Sequence, residues 1–452
     1  MSKIKIKSFF SISVSKAVLF LSKKFLKGGS NFPGRIALKI DRDILSVVAR
    51  DYSVILITGT NGKTTTTSMI YNIIKKTGSN VITNGTGANM LPGITASFVD
   101  NFSFFKKKKN NYAVIEVDEA NLKYITKYIT PRIITITNLF RDQLDRYGEV
   151  YTTLSKIMEG IHNLQDCTLV LNGDESLLGD INAGGRVSYY GFKSSFDDNK
   201  ELEMNADAKF CKHCKNPYEY DLITYNHLGK YHCPNCGYSR PSLNYVVDSI
   251  NEMTPYGSVV EINNKEYAVG QPGVYNIYNG LCAYSVCKEL CIDDNVIYES
   301  LKNQNSHFGR QETLNIDGKE LKIILVKNPA GYNQAIDTVS LDSRNFSAAF
   351  LLNDNYADGR DISWIWDVNF EKMLPLKIED IIIGGIRHQD MAVRLKIAGF
   401  DTDKFVISGD FESIVENIKK SESSFIYVLA TYTAMIDFRK YLHSKGYIKK
   451  LW

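Results

Sequence analysis

The sequence predicts an α/β protein: a larger parallel-sheet domain built on a phosphate-binding loop and interrupted by a cysteine-rich insertion, followed by a smaller C-terminal α/β domain of Rossmann-like type. Three observations lead there. Residues 54–68 read V-I-L-I-T-G-T-N-G-K-T-T-T-T-S, an apolar run, a Gly-rich loop and a polar helix start. Short β-branched runs alternate with helical patterns up to about residue 172 and again after about residue 308, as βαβ units do. Between these regions lie two C-x-x-C pairs.

Val54–Ile57 is expected to be a fully buried strand, since it holds four aliphatics of which three are β-branched. Gly59-Thr60-Asn61-Gly62 follows as a tight loop, with a helix beginning near Lys63. A strand, a Gly-rich loop and a helix N-terminus together bind phosphate, because backbone N–H groups and the helix dipole converge on the loop. Lys63 can reach the β/γ-phosphates and Thr64 can put its hydroxyl on Mg²⁺. The spacing is G-T-x-G-K-T, shorter than G-x-x-x-x-G-K-[ST], whose first glycine would fall at Ile57.

Length allows about two to four domains. The chain divides into an N-terminal basic helix (1–35), a central domain (36–305) with an insertion at 205–242, and a C-terminal domain (306–452). A hydrophobic fraction of 44% with 23% charged residues is ordinary for a soluble globular protein, ten prolines and 31 glycines exclude a low-complexity chain, and a net charge of +4 is too small to argue for nucleic acid. No secretory cleavage site is visible, so a cytosolic chain with reduced or metal-bound cysteines is expected. Residues 1–27 carry seven lysines, and no acid precedes Asp41. The apolar run Phe9–Leu21 is too short to span a bilayer. Such a helix either rests on an anionic membrane at its inner face or packs on the domain with its lysines solvated.

Ile36–Ala49 reads as one helix, Thr64–Lys76 as a second, and Asn80–Asn84, Tyr112–Val117, Arg132–Thr137 and Thr168–Leu171 as strands. Gly85–Asn89 is a second Gly-rich loop, and Lys106–Asn111 a solvated turn. Ligands of parallel sheets bind at the carboxyl ends of the strands, which places Thr58, Glu116 and Asn138 on one rim. Regular alternation stops after Tyr189-Tyr190-Gly191, with strand-like stretches returning at Leu243–Val247 and Ser258–Ile262. After the helix Ile297–Asn303, strands are expected at Leu321–Val326, Ala348–Leu352, Asp380–Ile383, Phe405–Ile407 and Phe425–Leu429, with helices at Asp390–Ala398 and Tyr432–His443.

Cys211-Lys-His-Cys214 precedes Cys233-Pro-Asn-Cys236 by eighteen residues. This spacing fits two knuckles closing one tetrahedral Zn²⁺ site, a zinc ribbon. Four thiolates fill the coordination shell, so the zinc is expected to be structural. Cys167, Cys282, Cys287 and Cys291 read as core thiols.

In order along the chain stand G-T-N-G-K-T at 59–64, Glu116 ending a strand, T-N-L-F-R-D-Q-L-D-R-Y-G at 137–148, L-N-G-D at 171–174, G-V-Y-N-I-Y-N-G at 273–280 and Gly309-Arg310. The set resembles the Mur ligase family of ATP-dependent peptidoglycan ligases. The zinc ribbon and the segment N-D-N-Y-A-D-G-R-D-I-S-W-I-W-D at 353–367 narrow the resemblance to its amidating branch, the ligase-like subunits of lipid II isoglutaminyl synthases. The resemblance implies ATP on the loop Gly59, Thr60, Asn61, Gly62, Lys63, Thr64 and Thr65, with Mg²⁺ on Thr64 and Glu116. It implies further nucleotide contacts from Asn276, Asn279 and Arg310, and catalytic roles for Lys63 and Glu116. The reaction it implies is amidation of the D-glutamate α-carboxyl of the lipid II stem peptide to D-isoglutamine through an acyl-phosphate. Ammonia would come from a GatD-like glutaminase subunit in a heterodimer.

Two departures bear on the nucleophile. Most of the family carries D-H-x-D where this chain has Asp142-Gln143-Leu144-Asp145, and D-x-A-H-N-P where it has Leu325-Val326-Lys327-Asn328-Pro329. Loss of both histidines argues against amino-acid addition and suits ammonia. The resemblance also implies an aspartate that orients the catalytic histidine of the partner's Cys–His pair; of the acids at 353–367, Asp361 is expected to be that residue, with Asp358 and Asp354 as alternatives. The competing readings are a self-sufficient ligase adding an amino acid, and a zinc-ribbon ATPase acting on nucleic acid. The second lacks an aromatic and basic stripe.

Overall fold

The structure, a computed structural model, describes residues 5–25, 31–85, 88–104, 110–140, 150–162, 164–182, 184–194, 208–304 and 310–448, with backbone alone at 23–25 and 310. Thr86 and Gly87 of the second Gly-rich loop, the lysines 106–109, the stretch 141–149 with Asp142-Gln143-Leu144-Asp145, and Gly309 lie outside the described residues.

The first sheet has nine strands in the order β11-β10-β9-β6-β5-β4-β1-β3-β2. Its strands are β1 (Ser53–Thr58), β2 (Asn80–Thr83), β3 (Asn111–Glu116), β4 (Ile133–Ile136), β5 (Thr168–Asn172), β6 (Val187–Phe192), β9 (Tyr245–Thr254), β10 (Gly257–Ile262) and β11 (Lys265–Val269). The first six and β9 pair in parallel, while β10 and β11 extend the edge antiparallel. β1 lies in the middle, in register with β3 at Ile57↔Glu116 and with β4 at Thr58↔Ile136. Its residues alternate between two cores. Val54 and Leu56 face the helices α1 (Ile6–Phe25), α2 (Asn31–Ile40), α3 (Ile44–Ala49) and α5 (Leu91–Asn101). Ile55 and Ile57 face α4 (Lys63–Lys76) and α8 (Val274–Glu289). Burial on both faces explains why β1 reads as an unbroken apolar run. The short α6 (Leu122–Ile125) and α7 (Val150–Ile161) add to the first layer, and α9 (Asp294–Lys302) follows α8.

The region expected as one helix, 36–49, is two. Asp41 interrupts it, its carboxylate accepting from Ser8 Oγ at 2.6 Å and from the Asp43 amide at 3.2 Å. An Asp side chain that bonds nearby backbone favours such a break. The basic helix α1 packs on the domain through Ile12 and Leu19, and Lys16 Nζ caps the Phe102 carbonyl at 2.6 Å.

The cysteine-rich insertion leaves the sheet between β6 and β9, which are neighbours in it. It consists of the antiparallel pair β7 (Glu219–Tyr225) and β8 (Leu228–His232) with a knuckle on either side. Arg240 anchors it by donating to buried Asp174 at 2.8 Å and to the Phe192 carbonyl.

The second sheet has the order β12-β13-β17-β14-β15-β16, made by β12 (Arg310–Ile316), β13 (Lys319–Leu325), β14 (Phe346–Leu351), β15 (Ile378–Gly384), β16 (Phe405–Ile407) and β17 (Phe425–Ala430). Every pairing except β12 with β13 is parallel. Helices α10 (Pro329–Val339), α11 (His388–Ile397), α12 (Phe411–Lys420) and α13 (Tyr432–Ser444) cover both faces. The carboxyl ends of β13 and β14 open on the same edge, because these strands run parallel to β17 between them.

Candidate active site

β1 ends at Thr58 and α4 begins at Lys63, so the turn is four residues long. Gly59 and Gly62 allow it, with φ of +119° and +83°, values that L side chains rarely adopt. A Cβ on Gly59 would stand 2.4 Å from Thr137 Oγ1 and 2.9 Å from the Asn138 carbonyl; one on Gly62 would stand 2.1 Å from Asn279 Oδ1. The loop is therefore pressed between the end of β4 and α8. The segment after β4 holds it by hydrogen bonds. Thr60 N donates to the Asn138 carbonyl at 2.9 Å, Asn61 N donates to Asn138 Oδ1 at 2.9 Å, and Thr137 Oγ1 donates to the Asn61 carbonyl at 2.6 Å.

Thr64 Oγ1 donates to Glu116 Oε2 at 2.7 Å, and Glu116 Oε1 accepts from Asn89 Nδ2 at 3.1 Å. Asn84 fixes the Glu116 backbone from both sides, accepting from its N–H at 2.9 Å and donating to its carbonyl at 2.8 Å. Lys63 Nζ pairs with Glu119 at 2.7 Å and also donates to the Thr60 carbonyl at 3.2 Å. Thr58 Oγ1 is buried without a hydrogen-bond partner at the strand end. Asn276 and Asn279, both buried on α8, bond to each other at 3.1 Å, and Asn279 Oδ1 accepts from Thr66 at 3.2 Å. Donors of the helix start, one lysine, and a threonine–glutamate pair in hydrogen-bond contact fit a nucleotide triphosphate and a divalent cation.

The structure thus brings together Gly59–Thr65, Glu116, Asn276 and Asn279. Arg310 opens β12, and its side chain lies outside the described residues. Sequence reasoning missed Glu119, Asn89 and Asn328. Glu119 stood within the acidic run after β3. Asn328 follows β13 of the second sheet and caps α10, accepting from Gly331 N at 2.8 Å; its Nδ2 reaches Asn61 Oδ1 at 3.3 Å. The carboxyl edge of the second sheet therefore faces the loop.

A second strut comes from the insertion. His227, at the turn between β7 and β8, meets Glu175 at 2.8 Å, and both side chains are wholly buried. Glu175 Oε2 also accepts from Leu139 N at 3.0 Å, and the His227 ring stands edge-on to Phe140 at 4.9 Å. The insertion thus buttresses the segment that holds the loop.

The four thiols Cys211, Cys214, Cys233 and Cys236 lie within 4.8 Å of one another. Cys211 and Cys236 sulfurs are 3.6 Å apart, and those of Cys214 and Cys233 3.4 Å. Four Zn–S bonds in a tetrahedron set sulfurs about 3.8 Å apart, so the cluster has the size of a Zn²⁺ site. Hydrogen bonds from the Asn235 side chain and then the Asn216 amide lower the Cys214 thiol, whereas Cys236 is raised despite the Tyr238 amide, by desolvation and the neighbouring thiols.

At the end of β14 the four acids differ. Asp358 is buried and committed, accepting from Thr433 N at 2.7 Å and from the Thr433 hydroxyl; burial raises its pKa despite these bonds. Asp354 pairs with Arg387 at 3.5 Å. Asp361 is partly exposed, and the Ser363 amide, then its hydroxyl, hold its carboxyl below the usual range. Asp367 is exposed at the end of the short 3-10 turn. Trp364 is buried near Tyr332, whereas Trp366 and Tyr356 are exposed beside the acids.

Comparison with known proteins agrees with this layout. Residues 57–287 match the Mur ligase middle domain, and residues 325–435 match the MurT ligase C-terminal family. The chain is 40% identical over 422 residues to the MurT subunit of lipid II isoglutaminyl synthase (glutamine-hydrolyzing) of Streptococcus pneumoniae, covering 93% of this chain and 94% of that protein. It is 36% identical over 390 residues to the subunit of the same name from Staphylococcus aureus, covering 86% and 87%. Among solved structures it is similar to the MurF ligase of Thermotoga maritima in complex with ADP, with a TM-score of 0.60, 13% identity, and coverage of 91% of this chain and 85% of that one; this likeness concerns the fold alone. With a middle domain matched over half its length and relatives of this identity along nearly all of it, the chain belongs to the Mur ligase family and, within it, to the MurT subunits of lipid II isoglutaminyl synthase.

Proposed function

We propose that the chain is the ATP-dependent half of a two-subunit amidotransferase. It converts the D-glutamate α-carboxyl of the lipid II stem peptide to the carboxamide, with ammonia released from glutamine by a partner glutaminase. The observation that carries this reading is the rim of the first sheet. There a Gly-rich loop, Lys63 and the Thr64–Glu116 pair meet under the carboxyl edge of the second sheet, in a chain whose length its named relatives share.

The residues divide the work as follows. Loop N–H groups from Asn61 to Thr65 cradle the β- and γ-phosphates, and Lys63 leaves Glu119 to neutralise the γ-phosphoryl group. Thr64 and Glu116 are the groups that hold Mg²⁺, which lowers the repulsion between phosphoryl and carboxylate oxygens. Asn276 and Asn279 grip the nucleotide from α8, and Arg310 comes from the second domain. The substrate carboxylate oxygen attacks the γ-phosphorus and ADP leaves. Ammonia then attacks the acyl carbon, inorganic phosphate leaves, and a proton is lost to give the amide. Charge neutralisation is the main demand of both steps, and preorganised cations and N–H donors meet it.

Asp361 is our choice for the acid that completes the partner's Cys–His pair. Asp358 is held by Thr433 and Asp354 pairs with Arg387, while Asp361 stays partly exposed and bonds only within its own turn, to Ser363, in a segment that also exposes Tyr356 and Trp366. The four cysteines hold zinc as a structural ion. No described helix is long and apolar enough to cross a membrane; the enzyme works at the inner membrane face as a peripheral protein, where its substrate is anchored. The direct test mixes chain, glutaminase, lipid II, ATP and glutamine and follows the stem peptide by mass spectrometry. The expected product is the carboxamide, formed also with ammonium in place of glutamine. Phosphate release that requires an amino acid instead would refute the reading.

A further inference from the structure

We propose that the outward face of α1 is a membrane-docking surface whose occupant is an anionic lipid bilayer. This deepens, and rests on, the reading that the substrate is lipid-borne.

The helix is amphipathic the wrong way round for a simple packing element. Its protein-facing side is Ser8, Ser11, Ser15 and Ser22 with Ile12 and Leu19, all buried. Two of these serines are tied down, Ser8 to Asp41 at 2.6 Å and Ser11 to the Ala37 carbonyl at 2.9 Å. On the opposite side stand Ile6 at 89% exposed, Phe20 at 65%, Phe10 at 59%, and Phe9 and Leu21 at 52% each, with Phe9 at the edge of the stripe also meeting Phe104 at 4.8 Å. At about 100° per residue these five fall in one stripe about 120° wide, centred opposite the serines. Phe32, at the start of α2, adds a sixth exposed side chain. Exposed aliphatic residues scattered singly need no explanation, but a stripe of large apolar groups on a helix that buries its serines does.

Charge selects the occupant. Lys5 and Lys7 are exposed and flank the stripe. The first forty residues hold nine basic residues and no acid. An apolar stripe bordered by lysines matches the boundary between acyl chains and anionic headgroups, where a helix lies flat. The surface is also tied to the active rim. α1 packs on α5, and α5 starts just after Asn89, whose amide donates to Glu116.

The test is flotation of the full chain, with and without its glutaminase, on phosphatidylcholine vesicles with and without phosphatidylglycerol. Wild type is expected to float with the anionic vesicles. The variant F10S/F20S/L21S should lose about tenfold or more of that partition, and K5E/K7E should lose the dependence on phosphatidylglycerol. Both should keep wild-type melting and wild-type amidation of a soluble short-chain substrate, while F10S/F20S/L21S amidates vesicle-embedded lipid II more slowly. The proposal is overturned if wild type does not float with anionic vesicles, or if the triple variant floats like wild type. It is also overturned if the variant instead loses the glutaminase or changes its oligomeric mass, since the stripe would then be a protein interface. Failure of wild type to amidate the soluble substrate would sink the assigned reaction and leave the flotation result to decide the surface.

Discussion

Gly59→Ala tests the geometry of the phosphate loop. The backbone there has φ +119°, and holding a non-glycine residue in such a region costs about 1–3 kcal/mol. The added methyl would also stand 2.9 Å from both the Thr137 N and the Asn138 carbonyl, so the segment after β4 must withdraw. That segment makes the three hydrogen bonds that hold Thr60 and Asn61. At about 1 kcal/mol each, losing one to three of them brings the total to about 2–6 kcal/mol. A share of about 1.4–2.8 kcal/mol falling on nucleotide binding would weaken ATP about 10–100-fold. Titration calorimetry with ATP measures it. Gly78→Ala is the control: Gly78 also has a left-handed φ, +80°, but its Cβ would meet nothing within 4 Å. It should lose some stability and no ATP affinity. If Gly59→Ala binds ATP within about twofold of wild type, corresponding to under about 0.5 kcal/mol, the close packing of loop against β4 does not matter and the reasoning fails.

Three further outcomes are expected. Asp361→Asn should abolish glutamine hydrolysis by the complex and leave ammonia-dependent amidation intact; hydrolysis at the wild-type rate would remove Asp361 from its role. Cys233→Ser should release zinc, measured by atomic absorption, lower the melting temperature, and raise the KM for ATP through the His227–Glu175 strut; an unchanged KM would show that the strut is not needed. Lys322 is buried and desolvation pushes its pKa down to about 8 from 10.5, although its ammonium donates to the Pro255 carbonyl. The folded chain therefore holds fewer protons than the unfolded one between about pH 8 and 10.5, so this group makes stability rise with pH across that window. Lys322→Met should remove that rise and be more stable near neutral pH by up to about 3 kcal/mol, read from urea unfolding of both proteins; parallel pH profiles would contradict it.

The central strand, its loop and the parallel alternation were legible because each is a local pattern. Burial on both faces makes a continuous apolar run, and phosphate binding needs glycines at adjacent positions. Zinc-ligand spacing is local for the same reason. The break at Asp41 was not legible, because it depends on Ser8, 33 residues away. Asn328 was visible as a residue but not as a loop contact, since only the placement of the second sheet brings it to Asn61. Glu119 was passed over because no spacing rule pairs it with Lys63. The nine-strand sheet also escaped. β6 and β9 are neighbours in space with the whole insertion between them in sequence, so the chain seemed to leave the sheet where it was only interrupted.

By itself, then, the sequence determined the α/β class, the loop Gly59–Thr65, the four cysteines, and a family whose chemistry those motifs carry. Those are short-range features, and their physics is contained in a few neighbouring residues. Tertiary structure alone decided that the insertion supports the loop through His227 and Glu175, that the edges of two sheets converge on one rim, and that Asp358 is buried against Thr433 while Asp361 stays partly exposed. It also decided which way α1 faces. Helical periodicity set serines and phenylalanines on opposite sides, but only packing against α2 and α5 could bury the serines and leave the phenylalanines outside.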